Sequence, residues 1–383
     1  PFDDDNGTDS GSAYVFTRSS GSWTQQQKLT APDGAASDRF GISVAVDGDT
    51  AVVGAYLDTI GGDREQGSAY VFTRSGGSWT QQQKLTASDG AAGDWFGWSV
   101  AVDGETAVVS AYIDDIGGNT WQGSAYVFTR SGGSWTQQQK LTASDGAARD
   151  YFGYSADVDG DTAIVGAYRD DDNGTDSGSA YVFTRSSGSW TQQQKLTASD
   201  GAVDDQFGNS VAVDGDTAVV GAYGDDDNGT NSGSAYVFIR SSGSWTQPHK
   251  LTASDGAARD EFGFSVALDG DTAIVGARFD SDNGSNSGSA YVFLINTTPT
   301  TIGIAAVSVD EDAPGSTVDL FAAFDDVEDA DADLVFTIET NTNPGLFTAT
   351  TINGTTGQLT LDYAADAFGT ADLTIRATDT GGL

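Results

Sequence analysis

The stretch 207-FGNSVAVDGDTAVVGAYGDDDNGTNSGSAYVFIRSSGSWTQPHKLT-252 contains four β-rich runs, FGNSVAV, DTAVVGA, SAYVFIR and SWTQPHKLT. Asp-Gly at 214–215 and Ser-Gly at 242–243 separate neighbouring runs, as hairpin turns do. The second and third runs are apolar at consecutive positions, which predicts strands covered on both faces. In the copy 189-SWTQQQKLT-197 the apolar residues of the fourth run are separated by glutamine and lysine. This pattern predicts an outer edge strand whose polar side chains discourage pairing with another molecule.

This four-run unit recurs along most of the chain. Its Phe-Gly pair returns at intervals of 56, 56, 55 and 55 residues, starting from Phe40, Phe96, Phe152, Phe207 and Phe262. A four-stranded sheet that is apolar on both faces must be covered by its neighbours, and radial stacking of such sheets is a β-propeller. The predicted fold class for residues 1–295 is therefore all-β, a β-propeller with five full repeats and a partial one.

The paired dipeptides of these copies resemble the FG-GAP repeat of integrin α-like propeller proteins. The matching pairs are Phe40-Gly41 with Gly54-Ala55, Phe96-Gly97 with Ser110-Ala111, Phe152-Gly153 with Gly166-Ala167, Phe207-Gly208 with Gly221-Ala222, and Phe262-Gly263 with Gly276-Ala277. The run SAYVF occurs six times against five Phe-Gly pairs, so the chain is expected to start inside a blade, as the tail of a longer propeller or a fragment. A smaller ring closed by the first and last strands is the alternative.

The charge is strongly acidic, with 56 Asp and Glu against 17 Lys and Arg, a formal net charge of −39. Such a field repels phosphate backbones and attracts cations, which excludes nucleic acid as a partner. Two interpretations of the acidity stay open: solubility in salty surroundings, and retention of divalent ions. Cysteine is absent, and no apolar run reaches the ~18 residues of a transmembrane helix.

Acidic clusters such as 169-RDDDNGTDSG-178 lie between the second and third runs. Calcium prefers carboxylate, amide and carbonyl oxygens, so these loops are candidate calcium sites. The register is imperfect, because with Gly174 at the sixth loop position Arg169 would occupy the first. The resemblance would also place calcium in the hairpin before Gly-Ala, which here is only 46-VDGDT-50. The predicted ligands are Asp3, Asp4, Asp5, Asn6, Asp9, Asp170, Asp171, Asp172, Asn173, Asp176, Asp225, Asp226, Asp227 and Asn228.

A turn with no metal is the alternative for these loops, since Asp, Asn and Gly are ordinary turn residues. The cluster is weaker at 280–286 and missing from 57-LDTIGGDREQG-67 and 113-IDDIGGNTWQG-123, where no metal is expected. The acidic segment before each Phe-Gly pair, as in 145-DGAARDYFG-153, is interpreted as a solvated connection in which Asp150 or Asp205 caps a turn.

Composition changes at the threonine-rich segment 296–301, which is predicted to be a linker. Residues 302–383 contain the runs IAAVSV, TVDLFAAF, LVFTIE, FTATTI, QLTLDY and ADLTIRAT, whose spacing predicts a β-sandwich. Segments 325–338 and 373–383 resemble cadherin-like repeats of bacterial surface proteins. That resemblance implies calcium ligands, with surface acidity as the alternative, among Asp310, Glu311, Asp325, Asp326, Asp331, Asp333 and Asp379.

Catalytic residues are not indicated. The single histidine, His249, replaces a glutamine of the fourth run, and zinc sites built on His and Cys are excluded. The glycine-rich runs also lack the lysine of a phosphate-binding loop. The chain is therefore predicted not to be an enzyme.

The predicted function is a non-catalytic extracellular or cell-surface binding and adhesion module with a protein or matrix ligand, calcium being the candidate cofactor. Aromatic residues that vary between copies are the candidate binding surface, because aromatics are enriched at interfaces; packing variation is the alternative. They are Trp95, Trp98, Trp121, Tyr151 and Tyr154. Two other functions stay open: a lectin-like carbohydrate-binding module and a structural spacer of a larger surface protein.

Overall fold

The computed structural model describes residues 1–295, 300–310, 313–325 and 333–379. The described residues form an all-β chain, with a short 3₁₀ turn at Pro344–Leu346 in the C-terminal region. Contacts divide the chain into two compact units, Pro1–Val292 and Phe293–Leu383. Among the described residues, no helix has the length and apolarity required to cross a membrane.

The first unit is a series of antiparallel sheets in which the strands pair in chain order. Four sheets have four strands each, β3 to β6, β7 to β10, β11 to β14 and β15 to β18; β1 pairs with β2, and β19 to β21 form a three-stranded sheet. The strands are β1 (Ala13–Ser19), β2 (Ser22–Leu29), β3 (Val44–Asp47), β4 (Thr50–Ala55), β5 (Ser68–Ser75), β6 (Ser78–Leu85), β7 (Val100–Asp103), β8 (Thr106–Ala111), β9 (Ser124–Ser131), β10 (Ser134–Leu141), β11 (Phe152–Asp159), β12 (Thr162–Ala167), β13 (Ser179–Ser186), β14 (Ser189–Leu196), β15 (Phe207–Asp214), β16 (Thr217–Ala222), β17 (Ser234–Ser241), β18 (Ser244–Leu251), β19 (Phe262–Asp269), β20 (Thr272–Ala277) and β21 (Ser289–Leu294).

Successive sheets stack face to face as propeller blades. First strands contact first strands (β3 with β7, β7 with β11, β11 with β15, β15 with β19), and fourth strands contact fourth strands (β6 with β10, β10 with β14, β14 with β18). Every residue of β8, β12 and β16 is buried. Val108 and Val127 of one sheet share a core with Val165 and Tyr181 of the next. The prediction that the second and third strands are covered on both faces is confirmed for these sheets.

The glycines of the repeated dipeptides permit this close stacking. A Cβ added to Gly221 would lie 2.0 Å from the carbonyl oxygen of Gly263 in the next sheet, and one on Gly166 would lie 1.9 Å from that of Gly208. Neither distance is compatible with a side chain, so the Gly-Ala strand of one blade meets the Phe-Gly pair of the next through bare backbone. Ser110 is the one exception, and it is completely buried.

The fourth strands lie at the edges of their sheets, as predicted, but their glutamines do more than blunt that edge. Gln194 Nε2 donates to the Trp245 carbonyl oxygen at 2.7 Å, and the Trp245 N–H donates to Gln194 Oε1 at 2.9 Å. Gln83 bonds the backbone of Trp135 in the same way, at 2.7 and 2.9 Å. We call this pair of bonds the glutamine clamp. The glutamines therefore join each outer strand to the next sheet instead of facing only solvent.

The first and last sheets each expose one face, because burial alternates along their strands. Tyr14 and Phe16 of β1 are 46% and 50% exposed, and Val292 and Leu294 of β21 are 67% and 70% exposed. Trp23 is 67% exposed, whereas the four equivalent tryptophans in the following sheets are 2–4% exposed. No strand pairing in the described residues joins β1 or β2 to the last sheet, so the closed smaller ring is not observed there.

The second unit consists of short antiparallel strands around its own core. They are β22 (Thr300–Thr301), β23 (Ser316–Asp319), β24 (Phe324–Asp325), β25 (Val335–Asn341), β26 (Phe347–Asn353), β27 (Gln358–Tyr363) and β28 (Leu373–Thr378). Leu320, Phe336 and Leu361 lie in the core, which agrees with the predicted β-sandwich. The predicted strand IAAVSV is wrong, because residues 304–309 form no strand and are exposed. Their apolar residues therefore have no partner strand to satisfy the backbone, whatever their β propensity.

Candidate functional site

In the sheets β11 to β14 and β15 to β18, the acidic loop contacts a lysine from the fourth strand of the same sheet. Lys195 Nζ lies 2.8 Å from Asp145 Oδ2, 3.0 Å from Asp170 Oδ2 and 2.5 Å from Asp172 Oδ2. Asp170 is 4% exposed. Tyr181, on the third strand, donates its hydroxyl to Asp170 Oδ2 at 2.6 Å and lies 3.0 Å from Asp145 Oδ1. We call this arrangement a lysine–aspartate cluster.

The cluster repeats in the next sheet with nearly the same geometry. Lys250 Nζ lies 2.7 Å from Asp200, 2.9 Å from Asp225 and 2.6 Å from Asp227. The Tyr236 hydroxyl lies 2.8 Å from Asp225 Oδ2. In the described residues, the groups of three acidic residues whose oxygens are close enough to hold a metal ion are these two sets of aspartates.

Two earlier sheets have reduced clusters with two aspartates. Lys84 contacts Asp33 at 2.8 Å and Asp58 at 2.6 Å. Lys140 contacts Asp89 and Asp114 at 2.8 and 2.7 Å. These are the loops in which the sequence lacks the acidic run, so the lysine contact does not depend on that run. At the start of the chain, Lys28 contacts Asp3 at 3.0 Å and also contacts Asp5.

At these clusters the ion pairs affect the pKa values of the lysine and aspartate more strongly than burial does. Burial alone lowers the pKa of Lys195, but its hydrogen bonds to Asp145, Asp172 and Asp170 hold that pKa above the ordinary value. Burial likewise raises the pKa of Asp145, but the bonds from Lys195 and Tyr181 leave it below the ordinary value. Burial raises the pKa of Tyr181, so this hydroxyl stays a donor. These shifts favour the protonated amine of Lys195 and the ionised carboxylate of Asp145.

The other predicted ligands build the loop itself. Asp171 Oδ1 accepts the Asp176 N–H at 2.8 Å, and the Asn173 N–H donates to Ser177 Oγ at 3.0 Å. Asn173 Nδ2 reaches the Ala198 carbonyl at 3.4 Å.

Equivalent bonds occur in the other copies of the loop. Asp4 accepts the Asp9 N–H at 2.8 Å, and Asn6 Nδ2 donates to the Ala31 carbonyl at 2.8 Å. Asp226 accepts the Asn231 N–H at 2.7 Å, and the Asn228 N–H donates to Ser232 Oγ at 3.0 Å. Only the first and third aspartates of each run therefore face the lysine.

Sequence reasoning missed Asp145, Asp200 and all the lysines. The signal was present, because each copy has ASDGA, or APDGA in the first, and a lysine at a fixed place in the fourth run. Asp150 and Asp205 cap turns as predicted, since Asp150 Oδ2 accepts the Ala147 N–H at 2.5 Å and Asp205 Oδ2 accepts the Ala202 N–H at 2.6 Å. The prediction that these connections are solvated is wrong at both aspartates, because the packed sheets bury them to 6% and 4% exposure. Burial raises the pKa of Asp150 and of Asp205 to about 6.

In the second unit, the predicted calcium ligands Asp310, Asp325, Asp333 and Asp379 do not belong to a group of three acidic residues within the described part of the chain. Asp379 is 4% exposed. Glu311, Asp326 and Asp331 lie outside the described residues.

The five predicted binding-surface aromatics lie together in one contiguous cluster. Trp95 and Trp98 are stacked with centroids 6.0 Å apart, and Trp98 lies 5.6 Å from Tyr154. Trp121 and Tyr151 are stacked at 6.1 Å with an interplanar angle of 19°. Three tyrosines that follow Gly-Ala or Ser-Ala connect these pairs and were missed in the sequence. We call the whole set the aromatic belt: Tyr56, Trp95, Trp98, Tyr112, Trp121, Tyr151, Tyr154 and Tyr168.

Six of the eight belt residues are half-buried, Tyr112 is buried, and Trp121 is 41% exposed. Arginines lie against its rings: Arg149 is 5.4 Å from the Trp121 centroid and Arg169 is 5.4 Å from that of Tyr151. Tyr151 has a left-handed φ of 57°, but Gln206 and Glu261 at the same repeat position have φ of 58° and 55°. The repeat therefore imposes this backbone conformation, and the aromatic side chains are an addition to it.

Comparison with known protein families finds the FG-GAP repeat at residues 23–72, 79–128, 135–183, 190–238 and 245–293, which is more than half of the chain. Each matched segment begins in or next to the fourth strand of one sheet and ends in the third strand of the next, so the match follows the blades. No curated protein matches the chain. The chain belongs to the FG-GAP repeat family.

Proposed function

We propose that this chain is a non-catalytic binding and adhesion module of an extracellular or cell-surface protein, and that its ligand is a protein that docks on the aromatic belt. FG-GAP propellers are typically non-enzymatic modules of this kind. The observation that carries the proposal is the belt itself, eight rings from three adjacent sheets ending in the exposed Trp121. Tryptophan and tyrosine dominate the binding energy of protein interfaces.

A partner with exposed arginine or lysine fits this surface best. The formal net charge of −39 attracts a basic partner and speeds its association. The rings of Trp121 and Tyr151 already carry guanidinium groups of Arg149 and Arg169 at 5.4 Å, the distance of a cation–π contact. A basic side chain of the partner would make the same contact on the exposed face of Trp121.

A glycan ligand is the second candidate, and one observation favours it. Trp121 is 41% exposed and is held in place by stacking on Tyr151, and an exposed aromatic ring of this kind is one on which a sugar ring packs. The propeller would then be a lectin-like module. A structural spacer with no ligand of its own is the remaining function proposed for the chain.

Binding of the full chain to two immobilised probe sets, arginine- and lysine-rich peptides and a glycan array, tests these proposals. Trp121→Ala should weaken peptide binding roughly 30-fold, the loss of an interface hot spot of about 2 kcal/mol. Trp23→Ala is the matched control, because Trp23 is more exposed, at 67%, and lies outside the belt. Equal losses in both variants, or no peptide binding at low salt, would overturn docking on the belt. Sugar-competed binding would replace it with the lectin function.

The location outside the cell and the cadherin-like nature of the second unit are proposals that support each other. Both rest on the acidic composition and on the resemblance of segments 325–338 and 373–383 to repeats of bacterial surface proteins. Detection of the intact chain on unpermeabilised cells by an antibody against the first unit would test the location.

A further inference from the structure

The acidic loops do not fit a resident calcium ion as they are folded. The carboxylate oxygens of Asp200, Asp225 and Asp227 all lie within 4.8 Å of one another, and an ion bound to all three would sit between them. Calcium lies about 2.3–2.6 Å from its ligand oxygens. Lys250 Nζ lies 2.6–2.9 Å from the same three carboxylates, so the amine occupies the place of the ion.

We propose that the fourth-strand lysine is the resident cation of every blade that has a fourth strand, and that the folded propeller does not require calcium. The lysine is fixed by covalent attachment, whereas an ion must be bound from solution. In the two full clusters, an ion that coordinated the carboxylates directly would have to displace an ammonium group that donates to three of them.

Repetition of the contact supports the proposal independently of the acidic runs. Lys84 and Lys140 pair with two aspartates each in sheets where the third acidic ligand is absent from the loop. In the sequence 57-LDTIGGDREQG-67, Ile60 stands where Asp172 and Asp227 stand in the later loops. The lysine is thus the common element, and the third carboxylate is an addition in some copies.

The tyrosine of the third strand completes the coordination. The Tyr236 hydroxyl is 2.8 Å from Asp225 Oδ2 and 3.0 Å from Asp200 Oδ1. Lys250 Nζ also lies 5.2 Å from the Tyr236 ring centroid, within the distance of a cation–π contact. Donors from one lysine and one tyrosine therefore satisfy oxygens that calcium would otherwise need. The hydrogen bonds that Lys250 donates to Asp200, Asp227 and Asp225 exceed the effect of burial and hold its pKa above the ordinary value, which agrees with a charged amine.

Thermal unfolding and calorimetric calcium titration of the full chain test the proposal. Wild-type protein should unfold at the same midpoint, within about 1 °C, in millimolar CaCl₂ and in EDTA, and should release no heat with a Kd below ~10⁻³ M. Lys250→Met should lower the midpoint by roughly 5 °C, because three carboxylates lose their counter-charge. Calcium should restore most of that loss by binding the three aspartates.

Lys84→Met is the matched control. It leaves two aspartates, Asp33 and Asp58, so it should lose stability with little recovery in calcium. Wild-type binding of calcium at millimolar or lower Kd that Asp227→Asn abolishes would overturn the proposal, because the ion would then displace the lysine. A Lys250→Met variant as stable as wild type in EDTA would overturn it as well. If Lys250→Met does not fold, the wild-type titration alone decides.

Discussion

Replacing Gln194 with alanine should destabilise the propeller through one junction between blades. Gln194 makes both bonds of a glutamine clamp, to the N–H and to the carbonyl of Trp245 at 2.9 and 2.7 Å. A typical intramolecular hydrogen bond contributes about 1 kcal/mol, and a buried group left without a partner costs about 1–3 kcal/mol. Trp245 is 3% exposed, so water reaches its backbone poorly after the side chain is removed. The expected loss in free energy of unfolding is therefore about 2–4 kcal/mol.

The chain contains its own control for this substitution. His249 occupies, in β18, the position that Gln194 occupies in β14. In the described residues the sheet that follows β18 has only three strands, so it has no fourth-strand tryptophan for His249 to bind. His249 Nε2 is buried without a hydrogen-bond partner. His249→Ala should therefore change the free energy of unfolding by less than about 1 kcal/mol.

Urea unfolding followed by tryptophan fluorescence measures both variants, with far-UV circular dichroism as a check that both are folded in water. The reasoning fails if Gln194→Ala and His249→Ala lose the same stability. It also fails if Gln194→Ala is indistinguishable from wild type, because the clamp would then add nothing beyond what solvent provides.

Two further changes follow from the packing and from the titrating groups. Gly221→Ala should lower the free energy of unfolding by about 3 kcal/mol, since its Cβ would lie 2.0 Å from a backbone carbonyl oxygen. Ser110→Gly, at the equivalent position, should lower it by about 1 kcal/mol or less. Thermal unfolding of the two variants compares these losses. Burial raises the pKa of Asp157 from 3.8 to about 6, so the folded state binds this proton more tightly than the unfolded chain does. The associated stability is present below pH 3.8 and is lost as pH rises to about 6. Asp157→Ala, which introduces the residue found at Ala212, also removes the bond that Asp157 Oδ2 accepts from the Val213 N–H at 2.9 Å, and that loss lowers stability at every pH. Its stability relative to wild type should therefore be lower at pH 4 than at pH 7; a difference independent of pH would contradict the assignment.

The fold of the first unit could be predicted because its signals are local. Consecutive apolar residues in DTAVVGA and SAYVF indicate strands covered on both faces, and the Asp-Gly turn marks the hairpin. Repetition at intervals of 55–56 residues then requires that each sheet be covered by a copy of itself. The structure also explains the glycines of the repeated dipeptides, since Gly221 and Gly263 of adjacent sheets are in backbone contact that leaves no room for a side chain.

The contacts that define the candidate sites join residues far apart in the chain, and the pattern of one repeat does not show them. Lys195 meets Asp170 across 25 residues and Asp145 across 50, and Gln194 meets Trp245 across 51. When only neighbouring residues in the sequence are considered, the glutamines are interpreted as polar edge residues and the acidic loop as a turn or a calcium site. The tertiary structure alone decides that the glutamine amide pairs with the next blade.

The sequence by itself determined that this chain is a stack of acidic four-stranded blades, because hydrophobic period and turn chemistry are properties of neighbouring residues. Only the tertiary structure decided that a lysine lies among the aspartates and that the variable aromatics form one belt. The carboxylate that faces each lysine depends on the distance between two loops of neighbouring sheets. The packing of whole sheets sets that distance.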